Sequence, residues 1–202
     1  MDGEITEYRG VEGLVYAPVT EDNLTTYTTG EVKTLAGVAE ISKTVETASE
    51  TKYYDNIPAM VISSTGADEI TCSVSAIPLD ILAEITGQDY DTTTGTLIDG
   101  ARTTKYFAIG YKTKKTNGDE VYVWRFKGTF SIPDSTHTTE NSGTDANGQE
   151  VTYTGISTKH KFSKTNKVAK GINVDVSLDK ADVSTFFDTV TTPDSLKVKG
   201  GA

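Results

Sequence analysis

Apolar and polar residues alternate along much of the chain, the mark of strands with one buried face. Over residues 69–77, Ile70, Cys72, Val74 and Ala76 alternate with Glu69, Thr71, Ser73 and Ser75. Over 37–48, Ala39, Ile41 and Val45 fall opposite Glu40, Ser42, Thr44 and Glu46. Shorter strands are expected at 13–19, 150–157 and 171–177. Residues 105–133 read as a hairpin turning at Thr116-Asn117-Gly118-Asp119, because Asn-Gly suits the tight turns that join twisted strands. On its expected core face stand Phe107, Ile109 and Tyr111, matched by Tyr122, Trp124, Phe126 and Phe130. The opposite face carries Ala108, Gly110 and Lys112 beside Val123, Arg125 and Lys127.

Two segments switch to a helical period. Residues 78–86 open on Pro78, carry Asp80 in the first turn and stop at Gly87. Residues 179–190 have Asp179 as candidate N-cap and an apolar stripe of Val183, Phe186, Phe187 and Val190. Two further segments fit neither period. Residues 49–68 contain Tyr53, Tyr54, Ile57, Met60, Val61 and Ile62, too apolar for a plain surface loop, so a partner is expected to cover them. Residues 134–149 have almost nothing to bury and read as a long exposed loop. Strands dominate and helices lie at the side, so the fold class expected is mainly β with flanking α-helices.

At 202 residues one domain is expected, here 13–190, with an arm at 1–12 and a tail at 191–202. No run is long and apolar enough to span a bilayer as a helix, and the opening Met-Asp-Gly-Glu-Ile lacks the pattern of a signal peptide. A net charge of −10 argues against a nucleic-acid binder of the basic kind. That charge is unevenly spread. Residues 1–100 hold 18 acidic and 4 basic side chains, whereas 101–202 hold 11 and 15. Such asymmetry suits head-to-tail contact between copies, although a solvated surface distributed by chance would look the same.

Candidate chemistry is sparse. The single cysteine, Cys72, sits on an apolar strand face and reads as a buried, inert thiol. His137 and His160 have no partner at a triad spacing. Asp145-Ala146-Asn147-Gly148 and Asp89-Tyr90-Asp91 only begin the pattern of a calcium loop. No phosphate-binding glycine motif occurs. No catalytic residue, metal or cofactor is therefore expected, and an enzyme is disfavoured. Lys112, Lys114 and Lys115, and Lys159, Lys161, Lys164, Lys167 and Lys170, form two basic clusters. They read either as solvated hairpin tips or as contacts for an acidic neighbouring subunit.

Three blocks of sequence resemble the major tail tube proteins of long-tailed, siphovirus-type bacteriophages. They are Gly13-Leu14-Val15-Tyr16-Ala17 with Leu35-Ala36-Gly37-Val38-Ala39-Glu40-Ile41, then Ile77-Pro78-Leu79-Asp80-Ile81-Leu82-Ala83-Glu84-Ile85-Thr86-Gly87. The third runs from Ala108-Ile109-Gly110-Tyr111-Lys112 through Asn117-Gly118 to Tyr122-Val123-Trp124-Arg125-Phe126-Lys127-Gly128-Thr129-Phe130-Ser131-Ile132-Pro133. The resemblance covers roughly 10–190 and leaves 134–149 and the termini uncovered.

It implies a mainly β subunit of a virion, a tail-tube-type sandwich or barrel with one or two flanking α-helices, made in the bacterial cytoplasm, whose hexameric rings stack into a hollow tube that conducts DNA. Strands 37–48 with 69–77, and 105–116 with 119–132, would then join across subunits into an inner barrel. Residues 49–68 would be a stacking loop, with Tyr53, Tyr54, Ile57 and Met60 contacting the adjacent ring. Glu40, Ser42, Thr44, Glu46, Glu69, Thr71, Ser73 and Ser75 would face the lumen. Lys112, Arg125 and Lys127 are expected to pair with Glu40, Glu46 or Glu69, or to point away from that lumen. Phe107, Tyr122, Trp124, Phe126, Val183, Phe186 and Phe187 are expected in the core. The implied partners are other copies of the chain and the tape measure, tail terminator and distal tail proteins, with DNA only in transit and no membrane. The competing reading is a non-enzymatic adhesion or carbohydrate-binding module of a virion surface.

Overall fold

A computed structural model describes residues 5–140 and 146–200. The start of the predicted arm, the middle of the polar loop with Asp145 and the end of the tail lie outside the described residues. The chain is mainly β, with antiparallel sheets and one flanking α-helix among the described residues. In chain order the first elements are β1 (Tyr8–Asp22), β2 (Tyr27–Thr29), β3 (Lys33–Thr34), β4 (Val38–Tyr54), β5 (Ile57–Val74) and helix α1 (Leu79–Thr86). There follow β6 (Asp89–Asp91), β7 (Thr96–Ile98), β8 (Phe107–Lys115), β9 (Glu120–Phe130), β10 (Asp134–Ser135), β11 (Gln149–Gly155) and β12 (Gly171–Asp175).

The main sheet runs β2-β1-β8-β9-β11-β5-β4, with β12 beside β9, β10 beside β11 and β3 beside β1. β6 and β7 form a separate small ribbon. The sheet curls until β1 and β4 approach each other, and its inner face closes over one core. That core takes Leu14 and Tyr16 from β1, Ile70, Cys72 and Val74 from β5, Phe107 and Ile109 from β8, and Val151 and Tyr153 from β11. Helix α1 caps this core with Ile85, Ile81 and Leu82. The helix ends where Gly87 turns left-handed at φ 72°, with a Thr103 carbonyl oxygen 1.9 Å from where a Cβ would stand. Only glycine fits there.

The β8–β9 hairpin forms, but its faces differ from expectation. Phe107 pairs with Gly128 while Ile109 pairs with Arg125, so β9 carries one extra residue. This bulge reverses the phase of β9 between Phe130 and Phe126. Phe107, Ile109, Tyr111, Val121, Val123 and Phe130 share the inner core. Trp124 and Phe126, with Tyr122 half-buried beside them, face a second core on the outer side. Trp124 stands opposite Gly110, where a Cβ would come within 2.9 Å of the indole, so the missing side chain leaves it room.

That second core is closed by residues 158–198, including Phe162, Phe186, Val190, Val183 and Phe187. Helix 179–190 does not form. Val176–Leu178 is a single 3-10 turn, and Asp179 adopts φ 49°. The Asp182 carboxylate takes the backbone N–H and hydroxyl of Ser184, while Phe186 and Asp188 close turns onto Val183 and Thr185. Asp and Ser compete with helical backbone bonds, and Val and Thr lose rotamer freedom in a helix. The apolar stripe is nevertheless used: its residues pack from successive turns.

Several boundaries also move. β1 begins at Tyr8, inside the predicted arm, and residue 198 of the predicted tail bridges to Ala181. Asp134 and Ser135 pair with Glu150 and Gln149, so the polar loop starts as a short strand.

Candidate functional site

Residues 49–68 are not a loop. β4 and β5 run on as a two-stranded ribbon past the point where β11 stops, at the Gly155–Asp68 pair. From Thr47–Thr65 to Tyr54–Ile57 the two strands pair, among the described residues, only with each other. Eight residues at about 3.3 Å each make an arm of roughly 25 Å. Its turn is Asp55-Asn56, both at positive φ (51° and 62°), a conformation that Asp and Asn tolerate better than most side chains. Sequence reading missed this turn because Asp-Asn is a weaker hairpin cue than Asn-Gly.

The ribbon is apolar where it has no cover. Tyr53, Ile57 and Val61 are 65%, 64% and 64% exposed, and Tyr54, Met60 and Ile62 are exposed as well. Val61 and Ile62 are successive residues of one strand, so both faces of the ribbon present hydrocarbon to water. An isolated two-stranded ribbon is marginal in water, and this one gains no stability from a core of its own.

Nearer the domain, β4 and β5 carry the polar face that alternation predicts. Glu40 stands opposite Ser73, Ser42 opposite Thr71 and Thr44 opposite Glu69. β11 extends each row with Glu150, Thr152 and Thr154, three residues that the sequence reading did not assign to this face. Their alternation with buried Val151 and Tyr153 was the available signal. Two predicted members leave the array. Ser75 lies past the end of β5, where its hydroxyl accepts the Gly37 N–H at 3.0 Å. Glu46 falls at a bulge between the Val45–Asp68 and Thr47–Thr65 pairs, and its carboxylate lies over Gly66.

The cations expected to pair with these glutamates pair elsewhere. Lys112 reaches Glu12 at 2.7 Å and Glu120 at 3.0 Å, because β1 and β9 flank it on β8. Lys127 meets Asp22 at 2.6 Å, and the nearest acidic group to Arg125 is Asp68 at 4.0 Å. Among the described residues, no ion pair involves Glu40, Glu46, Glu69 or Glu150. The face is therefore acidic and hydroxylic, with its charges unneutralised.

Among the described residues, no strand pairs with the outer edge of the seventeen-residue β4. A long free edge is a template for another strand. Cys72 is buried, opposite Ile41 on the neighbouring strand, and burial pushes its thiol up to about 12, which keeps it protonated and unreactive. His137 is exposed, and His160 packs edge-on against Phe162. Among the described residues, no helix is long and apolar enough to cross a membrane.

The chain matches no protein-family model and no curated protein.

Proposed function

We propose that this chain is a structural subunit that assembles with copies of itself into a hollow tube of the phage-tail kind. Copies join side by side through strand edges such as that of β4, and successive rings stack through the β4–β5 ribbon. The observation that carries this reading is the ribbon itself, a projecting arm apolar on both faces that nothing among the described residues buries. A neighbouring copy would bury Tyr53, Tyr54, Ile57 and Met60. The resemblance of residues 10–190 to major tail tube proteins points the same way.

In this reading the Glu40–Ser73–Glu150 face lines the channel. Bound phosphates are held by Lys and Arg, with an affinity that falls as salt rises. Carboxylates and hydroxyls without cations repel or slide past a phosphate backbone, which suits a conduit. The virion, the stacked copies of the chain and the proteins at the two tail ends and along the lumen are then its surroundings, with DNA passing through.

Negative-stain imaging of the purified chain across a concentration series tests the proposal. Rings or tubes that appear with rising concentration are expected. A monodisperse monomer at every concentration overturns the reading.

A further inference from the structure

Where β1 and β4 approach without pairing, the curled sheet leaves a cavity of about 540 Å³. Val11, Ile41, Val121 and Val123 give it apolar walls, and Lys43 and Arg125 bring charge to it. Arg125 is unusual for its place. It follows Val121 and Val123 on the inner face of β9, where its side chain is only 11% exposed.

Its donors are only partly used. Among the described residues Nε has no hydrogen-bond partner, the guanidinium bonds to the Tyr111 side chain, Nη2 reaches Asn173 Oδ1 at 3.4 Å, and Nη1 stands 4.0 Å from Asp68. Asp68 cannot be its counter-ion alone. Lys170 Nζ already donates to Oδ1 at 2.8 Å, and Lys43 Nζ lies 3.4 Å from Oδ2. Three cations share one buried carboxylate, which leaves a surplus of positive charge beside the cavity. A buried cation without an anion is strongly disfavoured, and a guanidinium fork fits a carboxylate with two parallel bonds.

We propose that this cavity is a carboxylate-binding site, with Arg125 and Lys43 holding the head group and the valine and isoleucine walls holding its hydrocarbon stem. A carboxylate suits it better than a phosphate dianion. Asp68 stands close enough to repel a second negative charge, and the apolar walls need a hydrocarbon body. The carboxylate is either a free small molecule or an Asp or Glu side chain of a second copy. This inference does not rest on the tube reading and can be tested on the monomer.

The probe is butyrate, titrated against sodium chloride at equal ionic strength into the full chain at a concentration where it is monomeric. A saturable Tm rise of roughly 3–5 °C near ten times Kd is expected, lost in Arg125→Gln. Lys43→Gln, on a partly exposed side chain, should weaken the butyrate midpoint several-fold even if Arg125→Gln does not fold. Sedimentation then distinguishes the two sources. If a second copy supplies the group, butyrate and Arg125→Gln both weaken self-association; if the ligand is free, neither does. A butyrate titration indistinguishable from chloride overturns the proposal.

Discussion

The indole N–H of Trp124 donates to the backbone carbonyl of Phe186 at 2.9 Å, across 62 positions of sequence. This bond ties the central strand β9 to the C-terminal segment that covers it. Thr191 Oγ1 donates to the same carbonyl at 2.9 Å, so its two lone pairs are both engaged. Among the described residues the C-terminal segment has no α-helix to hold it, and it packs on Trp124, Tyr122 and Phe126 from β9.

Trp124→Ala should therefore destabilise the chain by about 3–5 kcal/mol, the usual cost of emptying an aromatic site. Trp124→Phe should cost less, because Thr191 still satisfies the carbonyl. Urea denaturation of the three proteins measures both. Equal midpoints for Trp124→Ala and the parent would remove the indole from the core.

A second expectation concerns acid. Asp22 is nearly buried beside Lys127 and accepts N–H groups from Lys159 and His160 at 2.9–3.0 Å. Burial alone would raise its carboxyl, but the Lys127 hydrogen bond and the two amides outweigh it, so the group titrates below its ordinary value. An unfolded Asp titrates at about 3.9. The stabilisation is then complete above that pH and is lost as the pH falls through the folded value. Asp22→Asn should lower stability at pH 7 by about 3–5 kcal/mol, since it strands the Lys127 charge. It should also flatten the loss of stability as the pH falls below about 4. Parallel acid limbs in the two proteins would show that Asp22 contributes nothing there.

Deleting residues 53–62 isolates the ribbon tip. The Ser49–Ser63 pair is then joined by three residues, a length that hairpins accept. Because the tip touches no core, the shortened chain should keep the parent melting temperature within about 2 °C, the spread of near-neutral surface changes. It should also fail to form tubes. Normal tubes from the deletion, seen by negative stain, would end the stacking role.

The polar face of β4–β5 and the helix at 79–86 were legible because period 2 and a Pro-to-Gly frame survive in the fold. The face of Trp124 was not legible. Both faces of β9 are apolar, and alternation cannot distinguish inner from outer when a bulge resets the phase at 126–127. The 179–190 segment misled for a related reason, since Val183, Phe186, Phe187 and Val190 meet one core from turns as readily as from a helix. The ribbon looked like a loop because its strands bury nothing, and period 2 is written only where one face meets a core. Arg125 was visible as a cation on β9, but its surplus over Asp68 required Lys43 and Lys170, distant in sequence, to be brought together.

The last expectation joins the polar face to its proposed use. Glu40, Glu69 and Glu150 lie on adjoining strands with hydroxyls between them and no cation paired to them among the described residues. They stand away from the core, so neutralising them changes charge without opening a cavity or stranding a buried partner. The triple change Glu40→Gln, Glu69→Gln and Glu150→Gln should leave the monomer folded and self-assembly intact. If the face lines a channel for DNA, its loss of three charges per copy weakens repulsion of the phosphate backbone. Passage should then slow, by several-fold at low salt and by less as salt screens the field within about 10 Å at 0.1 M. Ejection kinetics of particles built with the variant subunit, read by dye uptake on released DNA at two salt concentrations, measure this. Unchanged kinetics at low salt, or an assembled tube with these glutamates on its outer wall, would remove the face from the conduit.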